Sequence, residues 1–149
     1  MSLRRVVITG VGAVTSLGKN VPDTWSGILS GKSGVKVITE FDTSKLPCKI
    51  ASMVSDFEPE KLVPPRELRK MDRFIHFGLV AAIEAIADSG WQPEDEISKE
   101  RTGVMVGSGI GGLGMIEKTS LEFHNLENPK VSPYFIPASL VNLISGHIS

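Results

Sequence analysis

The sequence predicts an α/β fold, because β-branched runs that end in glycine loops alternate along it with helical segments. Two strands are predicted, at residues 4–9 (RRVVIT) and 102–109 (TGVMVGSG). The longest predicted helix, residues 66–89, is apolar on nearly every side beyond Phe74, so it needs cover all round. Because a sheet usually has more than two strands, these elements are expected to form an unfinished layered domain.

The other elements are predicted from capping and breaking residues. Asn20 is expected to cap a first helix that ends at Gly31, and a pair of prolines followed much later by Gly90 brackets the long helix. The remaining expected elements are short strands within VKVI (35–38) and KIASMV (49–54), a helix over 113–123, and a proline-interrupted turn followed by an apolar helix within SPYFIPASLVNLISGHIS (132–149).

Composition excludes several classes of protein. The 149 residues are 41% apolar and 22% charged, with 16 basic and 17 acidic side chains and a net charge of -1. This balance favours neither nucleic acid nor a membrane surface as a partner. The single cysteine, Cys48, can form no internal disulfide and no zinc pair, which favours a reducing, cytoplasmic setting.

The stretch GVMVGSGIGGLG (103–114) contains the spacing G-x-G-x-x-G twice, starting at Gly107 and at Gly109. A dinucleotide site also needs an acidic residue at the end of a strand about 20 residues further on. That region, ENPKVSP (127–133), has no strand pattern. We therefore expect the glycines to allow a tight turn and a close approach to another surface, where Ile110, the one bulky residue of GSGIGG, could gate a pocket.

Five motifs share one order with a known family: RRVVITGVGAVTSLG, FDTS, RKMDRF, GSGIGG and SPYFIPASLVNLISGH. Together they resemble the N-terminal part of the elongating condensing enzymes of bacterial fatty-acid synthesis, the β-ketoacyl synthases, and most closely their synthase II group. The resemblance implies a thiolase-like layered α/β/α/β/α fold. Residues 1–149 would be an incomplete N-terminal part of that domain, truncated before the strand that carries the nucleophile.

The chemistry implied by this resemblance uses a cysteine, two histidines and a lysine. The cysteine takes the acyl chain as a thioester, and the decarboxylated malonyl group on acyl carrier protein attacks it to give a 3-oxoacyl product. Cys48, His76, His124 and His147 all lie outside the family's catalytic motifs. We therefore predict no catalytic residue in this chain and no condensing activity from the chain alone. The implied enzyme is a metal-free homodimer without a cofactor, whose substrates are attached to the phosphopantetheine of acyl carrier protein.

The resemblance carries binding residues over to this chain. Ile110 matches a gate at the far end of the acyl pocket, while Phe135, with Tyr134 and Ile136 beside it, matches a segment that lines the partner subunit's pocket. Ordinary packing within the chain is the competing interpretation of these apolar residues.

The resemblance also implies a second set of binding residues, which are basic. Arg66, Arg69, Lys70 and Arg73 are spaced to share one face at the start of the long predicted helix, where the family docks the acidic carrier protein, and Lys130 is a further docking candidate. A solvated charged face is the plainer interpretation of such a run. Two other functions stay open: a stand-alone carrier-binding module without catalysis, and an NAD(P)-binding oxidoreductase.

Overall fold

Helices dominate the computed structural model of the chain, which describes residues 4–149. The elements in order are α1 (Val21–Leu29), β1 (Val35–Val37), β2 (Ile50–Ser52), a 3-10 turn (Pro59–Lys61), α2 (Pro65–Leu68), α3 (Arg73–Ser89), α4 (Glu96–Glu100), α5 (Leu113–Asn125), α6 (Phe135–Ser139) and α7 (Leu143–Ile148). The chain divides into two compact units. The first unit holds the described residues up to Glu58 together with Ile83–Gly90, and the second holds Pro59–Ala82 and Trp91–Ser149.

Local signals in the sequence set both ends of α1 in the first unit. The Asn20 side chain accepts a hydrogen bond from the backbone N–H of Asp23 at 2.7 Å, which satisfies one of the free donors of the first turn of α1. Gly31 follows the helix with φ of +65°, a conformation that favours glycine. Strands β1 and β2 pair antiparallel, with Val35 opposite Ser52. The first helix and both short strands are therefore confirmed.

The core of the second unit gathers around α3. Ile75 has no exposed surface, and the other buried apolar side chains packed with it are Val63, Leu68, Met71, Leu79 and Ile144. Phe74, Leu143 and Ile148 pack against this group from its edge. The aliphatic residues of the last predicted helix thus serve to cover the first half of α3.

The two predicted long strands, residues 4–9 and 102–109, are not strands in the structure. Both segments lack a ladder partner within residues 4–149, where β1 and β2 form the one sheet. Their apolar side chains are exposed, with Val6 at 92% and Met105 at 96% of full exposure. A strand exists only when its backbone groups pair with a neighbour, so an apolar run without that neighbour stays irregular.

The prediction of one continuous helix over residues 66–89 is also wrong, because the chain leaves helical geometry between α2 and α3. At the break, the backbone N–H of Asp72 donates to the carbonyl of Ala138 at 3.4 Å. Its side chain accepts hydrogen bonds from Phe74 N–H at 3.4 Å and from Met115 N–H at 2.8 Å. Contacts with distant elements therefore replace the helical hydrogen bonds at this point.

Helix α3 is covered on only part of its surface, as expected of an apolar helix in an unfinished domain. Within α3, the buried residues are Ile75, Leu79 and Val80, whereas Ile83 and Ile86 are exposed.

Among the helices of residues 4–149, none combines the length and the apolar character that crossing a membrane requires. Element α4, which the sequence analysis missed, is a single short helix capped by Asp95.

Candidate functional site

Four of the five predicted docking residues lie in residues 66–73, here called the basic segment. Arg66 lies in α2, Arg69 follows its end, and Arg73 is the first residue of α3. All three are exposed. Because the helix breaks between α2 and α3, these arginines do not share one continuous helical face, and the prediction of such a face is corrected. What remains is a cluster of cations along a turn.

Two members of the basic segment have nearby partners. The Lys70 ammonium group donates to both carboxylate oxygens of Glu67 at 2.8 Å, and this bond holds the pKa of Glu67 below its ordinary value. The Arg73 guanidinium lies over the ring of Phe77, 5.3 Å from its centroid, in a cation–π arrangement. Lys70 therefore presents less net positive charge to a partner than Arg66 or Arg69, and Lys130, which is exposed between α5 and α6, adds one further cation.

The glycine loop, residues 107–112, approaches the backbone at the end of α6. Gly112 N–H donates to the carbonyl of Ser139 at 3.0 Å, and Gly111 has φ of +86°. A Cβ built on Gly111 would lie 2.5 Å from the carbonyl oxygen of Ser139, and one on Gly112 would lie 2.7 Å from its Cα. The predicted role of these two glycines, a tight turn and a close approach, is confirmed, and the surface approached is backbone of the same chain.

The same loop presents its other residues outward. Positions Gly107 and Gly109 have open space where a Cβ would be, and the side chain of Ile110 is 67% exposed. On the neighbouring segment, Tyr134 and Ile136 are exposed and Phe135 is half-buried. The bond between Gly112 and Ser139 therefore brings the two segments that carry the predicted acyl-binding residues together within one unit, with three of their four candidate side chains facing solvent.

Carboxylates accept hydrogen bonds from backbone amides beside the glycine loop and beside a second glycine pair, Gly10 and Gly12, and this argues against a dinucleotide site. The N-terminal end of α5, where a pyrophosphate would bind, has its Met115 N–H bonded to Asp72. At the N-terminal glycines, Val11 N–H donates to Asp88 and Ala13 N–H to Glu84, both at 2.9 Å. A phosphate at either place would be repelled by a carboxylate that already accepts hydrogen bonds from the backbone N–H groups.

These carboxylates are the residues that sequence reasoning missed. Glu84 also accepts from Val21 N–H at 2.8 Å, so its two oxygens hold the start of α1 and the preceding loop together. For Asp72 a signal existed, since an aspartate immediately before a helix start is a common cap. For Glu84 there was none, because its partners lie more than 60 positions away.

The remaining polar candidates have ordinary surroundings. His76 shares a hydrogen bond with the carbonyl of Leu68 at 3.0 Å through Nε2, as expected of a helix-packing residue, and His124 and His147 are exposed. Cys48 is exposed in the connection between β1 and β2. Within residues 4–149, His, Cys, Asp and Glu side chains form no cluster of three that could hold a metal ion.

This arrangement of helices and glycine loops is that of the N-terminal part of the ketosynthases, which have the thiolase-like fold. A solved structure described as the ishigamide ketosynthase/chain length factor matches with a TM-score of 0.78 and 28% identity, over 99% of this chain and 36% of its own. A second solved structure is a type II polyketide acyl-carrier protein in complex with its ketosynthase. It matches with a TM-score of 0.74 and 26% identity, over 96% of this chain and 37% of its own.

The chain belongs to the β-ketoacyl synthase family, because the model of its N-terminal domain matches residues 3–149. The 3-oxoacyl-[acyl-carrier-protein] synthase 2 of Coxiella burnetii is 45% identical over 149 residues, and that of Vibrio cholerae is 41% identical over 149 residues. Each alignment covers all of this chain and 36% of the relative. The chain thus spans about 36% of the length of these curated relatives. The family and the thiolase-like fold inferred from the five motifs are both confirmed.

Proposed function

We propose that this chain forms the N-terminal part of an elongating β-ketoacyl synthase, ending before the strand that carries the nucleophile. The whole enzyme would condense an acyl chain with malonyl-acyl-carrier-protein to give 3-oxoacyl-acyl-carrier-protein, as an acyltransferase of fatty-acid synthesis. The observation that carries the proposal is the alignment of all 149 residues with synthases of that reaction at up to 45% identity.

In this proposal the chain contributes binding surfaces and no catalytic residue. The cysteine, histidines and lysine of the reaction would come from the rest of the synthase. Ile110 would gate the end of the acyl pocket, and Phe135, Tyr134 and Ile136 would line the pocket across a homodimer interface. The exposure of Ile110, Tyr134 and Ile136 supports this, because a side chain that serves a pocket completed by other protein has no cover within its own unit.

The proposed partner is acyl carrier protein, docked on the basic segment and Lys130. The exposed arginines support this role, since clustered cations steer an acidic partner and set the rate of encounter. A solved relative at 26% identity is itself a ketosynthase in complex with its acyl-carrier protein.

We place the enzyme in the cytoplasm, with its substrates on phosphopantetheine and with no metal or further cofactor. The lack of a disulfide partner for Cys48 supports a reducing compartment.

Reversing the charge of Arg69 is expected to weaken carrier-protein binding. Arg69→Glu removes one exposed cation and adds an anion that repels the acidic partner, so we expect the Kd to rise by roughly 10-fold at low salt. The difference should shrink as salt is added, because screening shortens the reach of exposed charges. The measurement is a titration of the chain with acyl carrier protein at two salt concentrations.

The matched control is Arg101→Glu. Arg101 is also an exposed arginine at the end of a short helix in the same unit, and the substitution changes the net charge equally. An equal loss of affinity in both variants would mean that net charge, rather than a docking surface, governs the association. That result would contradict the proposed role of the basic segment.

The proposed reaction is tested with a chimeric enzyme. Residues 1–149 replace the matched segment of the Coxiella burnetii synthase, and 3-oxoacyl product is measured from acyl- and malonyl-carrier protein. We expect condensing activity from the chimera and none from the 149-residue chain alone. A folded chimera that binds carrier protein but forms no product would contradict the synthase proposal and favour the stand-alone binding module. Product from the chain alone would contradict the assignment of catalysis to the rest of the enzyme.

A further inference from the structure

Asp72 contacts three separate segments of the second unit. Its carboxylate accepts from the backbone N–H groups of Phe74 at 3.4 Å and Met115 at 2.8 Å, which lie in the first turns of α3 and α5. Its own backbone N–H donates to the carbonyl of Ala138, in α6, at 3.4 Å.

The carboxylate charge suits this position. Each helix start carries a partial positive charge on its free N–H groups, and α5 has no side-chain cap of its own at Gly112. One negative group between two such ends is stabilised by both, and hydrogen bonds to an ionised acceptor are stronger than neutral ones. An asparagine here could offer its single oxygen to one helix start, while its NH₂ group would face the other.

The segments that meet at Asp72 are those with proposed binding roles. Asp72 is the next-to-last residue of the basic segment, and the start of α5 continues the glycine loop that carries Ile110. Ala138 precedes Ser139, the residue to which Gly112 bonds. The chain of contacts therefore runs from the basic segment through Asp72 to both the glycine loop and α6.

We propose that Asp72 is a positioning residue, which holds the Ile110 loop and α6 in register with the basic segment. The position of Ile110, and with it the length of acyl chain the pocket accepts, then depends on a side chain that need not touch the substrate. This inference rests on the proposed function for its consequence in catalysis, while the positioning itself is a property of the second unit alone.

The positioning is measured by amide hydrogen exchange on the 149-residue chain. In Asp72→Asn and Asp72→Ala we expect exchange at Met115 and Gly112 to accelerate by about 10-fold or more, as follows from loss of a hydrogen bond to a charged group. Asp95→Asn and Asp95→Ala are the matched controls. Asp95 caps α4 by accepting from Ser98 N–H at 2.9 Å, a bond that asparagine can keep and alanine loses. The alanine variant should therefore accelerate exchange near Ser98, and both variants should leave the glycine loop unchanged.

Two results would overturn the positioning role. Unchanged exchange at Phe74, Met115 and Gly112 in Asp72→Asn would show that the carboxylate holds nothing in place, because asparagine can serve only one of the two helix starts. Equal acceleration in the Asp95→Ala variant would show that any lost cap loosens the unit as a whole. Should Asp72→Ala fail to fold, the nearly isosteric asparagine variant still gives the answer, with far-ultraviolet circular dichroism to verify its helical content.

The consequence for catalysis is read from the chimeric synthase. We expect Asp72→Asn to change the ratio of kcat/KM between long and short acyl substrates by about 10-fold, within the roughly 100-fold that a 1 Å misplacement can cost, and Asp95→Asn to leave that ratio unchanged. Arg69→Glu should raise KM for all chain lengths alike. An unchanged ratio in Asp72→Asn would overturn the link to the acyl pocket. A wild-type chimera without activity would instead count against the proposed function, and the exchange experiment would still decide the positioning role.

Discussion

Ile75→Ala is expected to destabilise the second unit by about 2–5 kcal/mol, the range measured when a large aliphatic side chain is truncated in a packed core. Ile75 has no exposed surface and is packed among the other buried apolar residues of the unit. Because buried side chains are close-packed and interdigitated, the surroundings can fill the resulting cavity only in part. A typical domain is stable by only 5–15 kcal/mol, so this one change should remove a large share of the total.

The control lies on the same helix. Ile86→Ala deletes the same atoms from a side chain that is 47% exposed, and we expect less than about 1 kcal/mol from it. Urea unfolding followed by circular dichroism gives both values. Similar midpoints for the two variants would contradict the placement of Ile75 at the centre of the core, and would mean that α3 is held mainly by its own helical bonds.

Helices with a local start signal could be predicted from the sequence. Asn20 caps α1 because its side chain reaches an N–H three residues away, and that interaction depends on nothing outside the segment. The same holds for α5, where the glycines before Leu113 mark a boundary that the structure confirms within a few residues. Capping and hydrophobic periodicity are encoded within ten or so neighbouring residues, which is why they can be predicted from one sequence.

The long strands could not be predicted in the same way. RRVVIT and TGVMVGSG have the composition of buried strands, yet a ladder joins two segments and the pattern describes only one of them. In residues 4–149 neither segment has a partner, and their valines, isoleucine and methionine are exposed. The pattern of one segment therefore cannot show whether a second segment is there to pair with it.

The prediction of a helix continuous through the start of α3 failed for a related reason. Arg66 to Arg73 has a helical spacing of charges, and nothing local forbids a continuous helix there. Its interruption depends on Met115 and Ala138, which lie more than 40 residues beyond Asp72. Motif resemblance could therefore name Ile110 and the arginines as binding candidates, whereas the bonds from Asp72 to Met115 and Ala138 are visible only in the structure.

Gly111→Ala is expected to cost about 2–4 kcal/mol, because a Cβ at this position is strained in two ways. The backbone has φ of +86°, a conformation that L-residues avoid because their Cβ crowds the following carbonyl oxygen. The new methyl group would also lie 2.5 Å from the carbonyl oxygen of Ser139 and 2.9 Å from a side-chain carbon of Val141. Relief requires the loop to move away from α6, which breaks the bond from Gly112 to Ser139 and displaces Ile110.

Gly109→Ala is the matched control, two residues away in the same loop. Its backbone has no positive φ, and a Cβ there meets nothing within 4 Å. This substitution should leave stability unchanged or raise it by about 0.4–1 kcal/mol, because alanine restricts the unfolded chain. Urea unfolding and amide exchange at Gly112 compare the two variants. If Gly111→Ala were as well tolerated as Gly109→Ala, the close approach to Ser139 would not be what requires glycine, and the conformation of the Ile110 loop would need another cause. If only Gly111→Ala is costly, then the glycines of this loop serve backbone packing against α6.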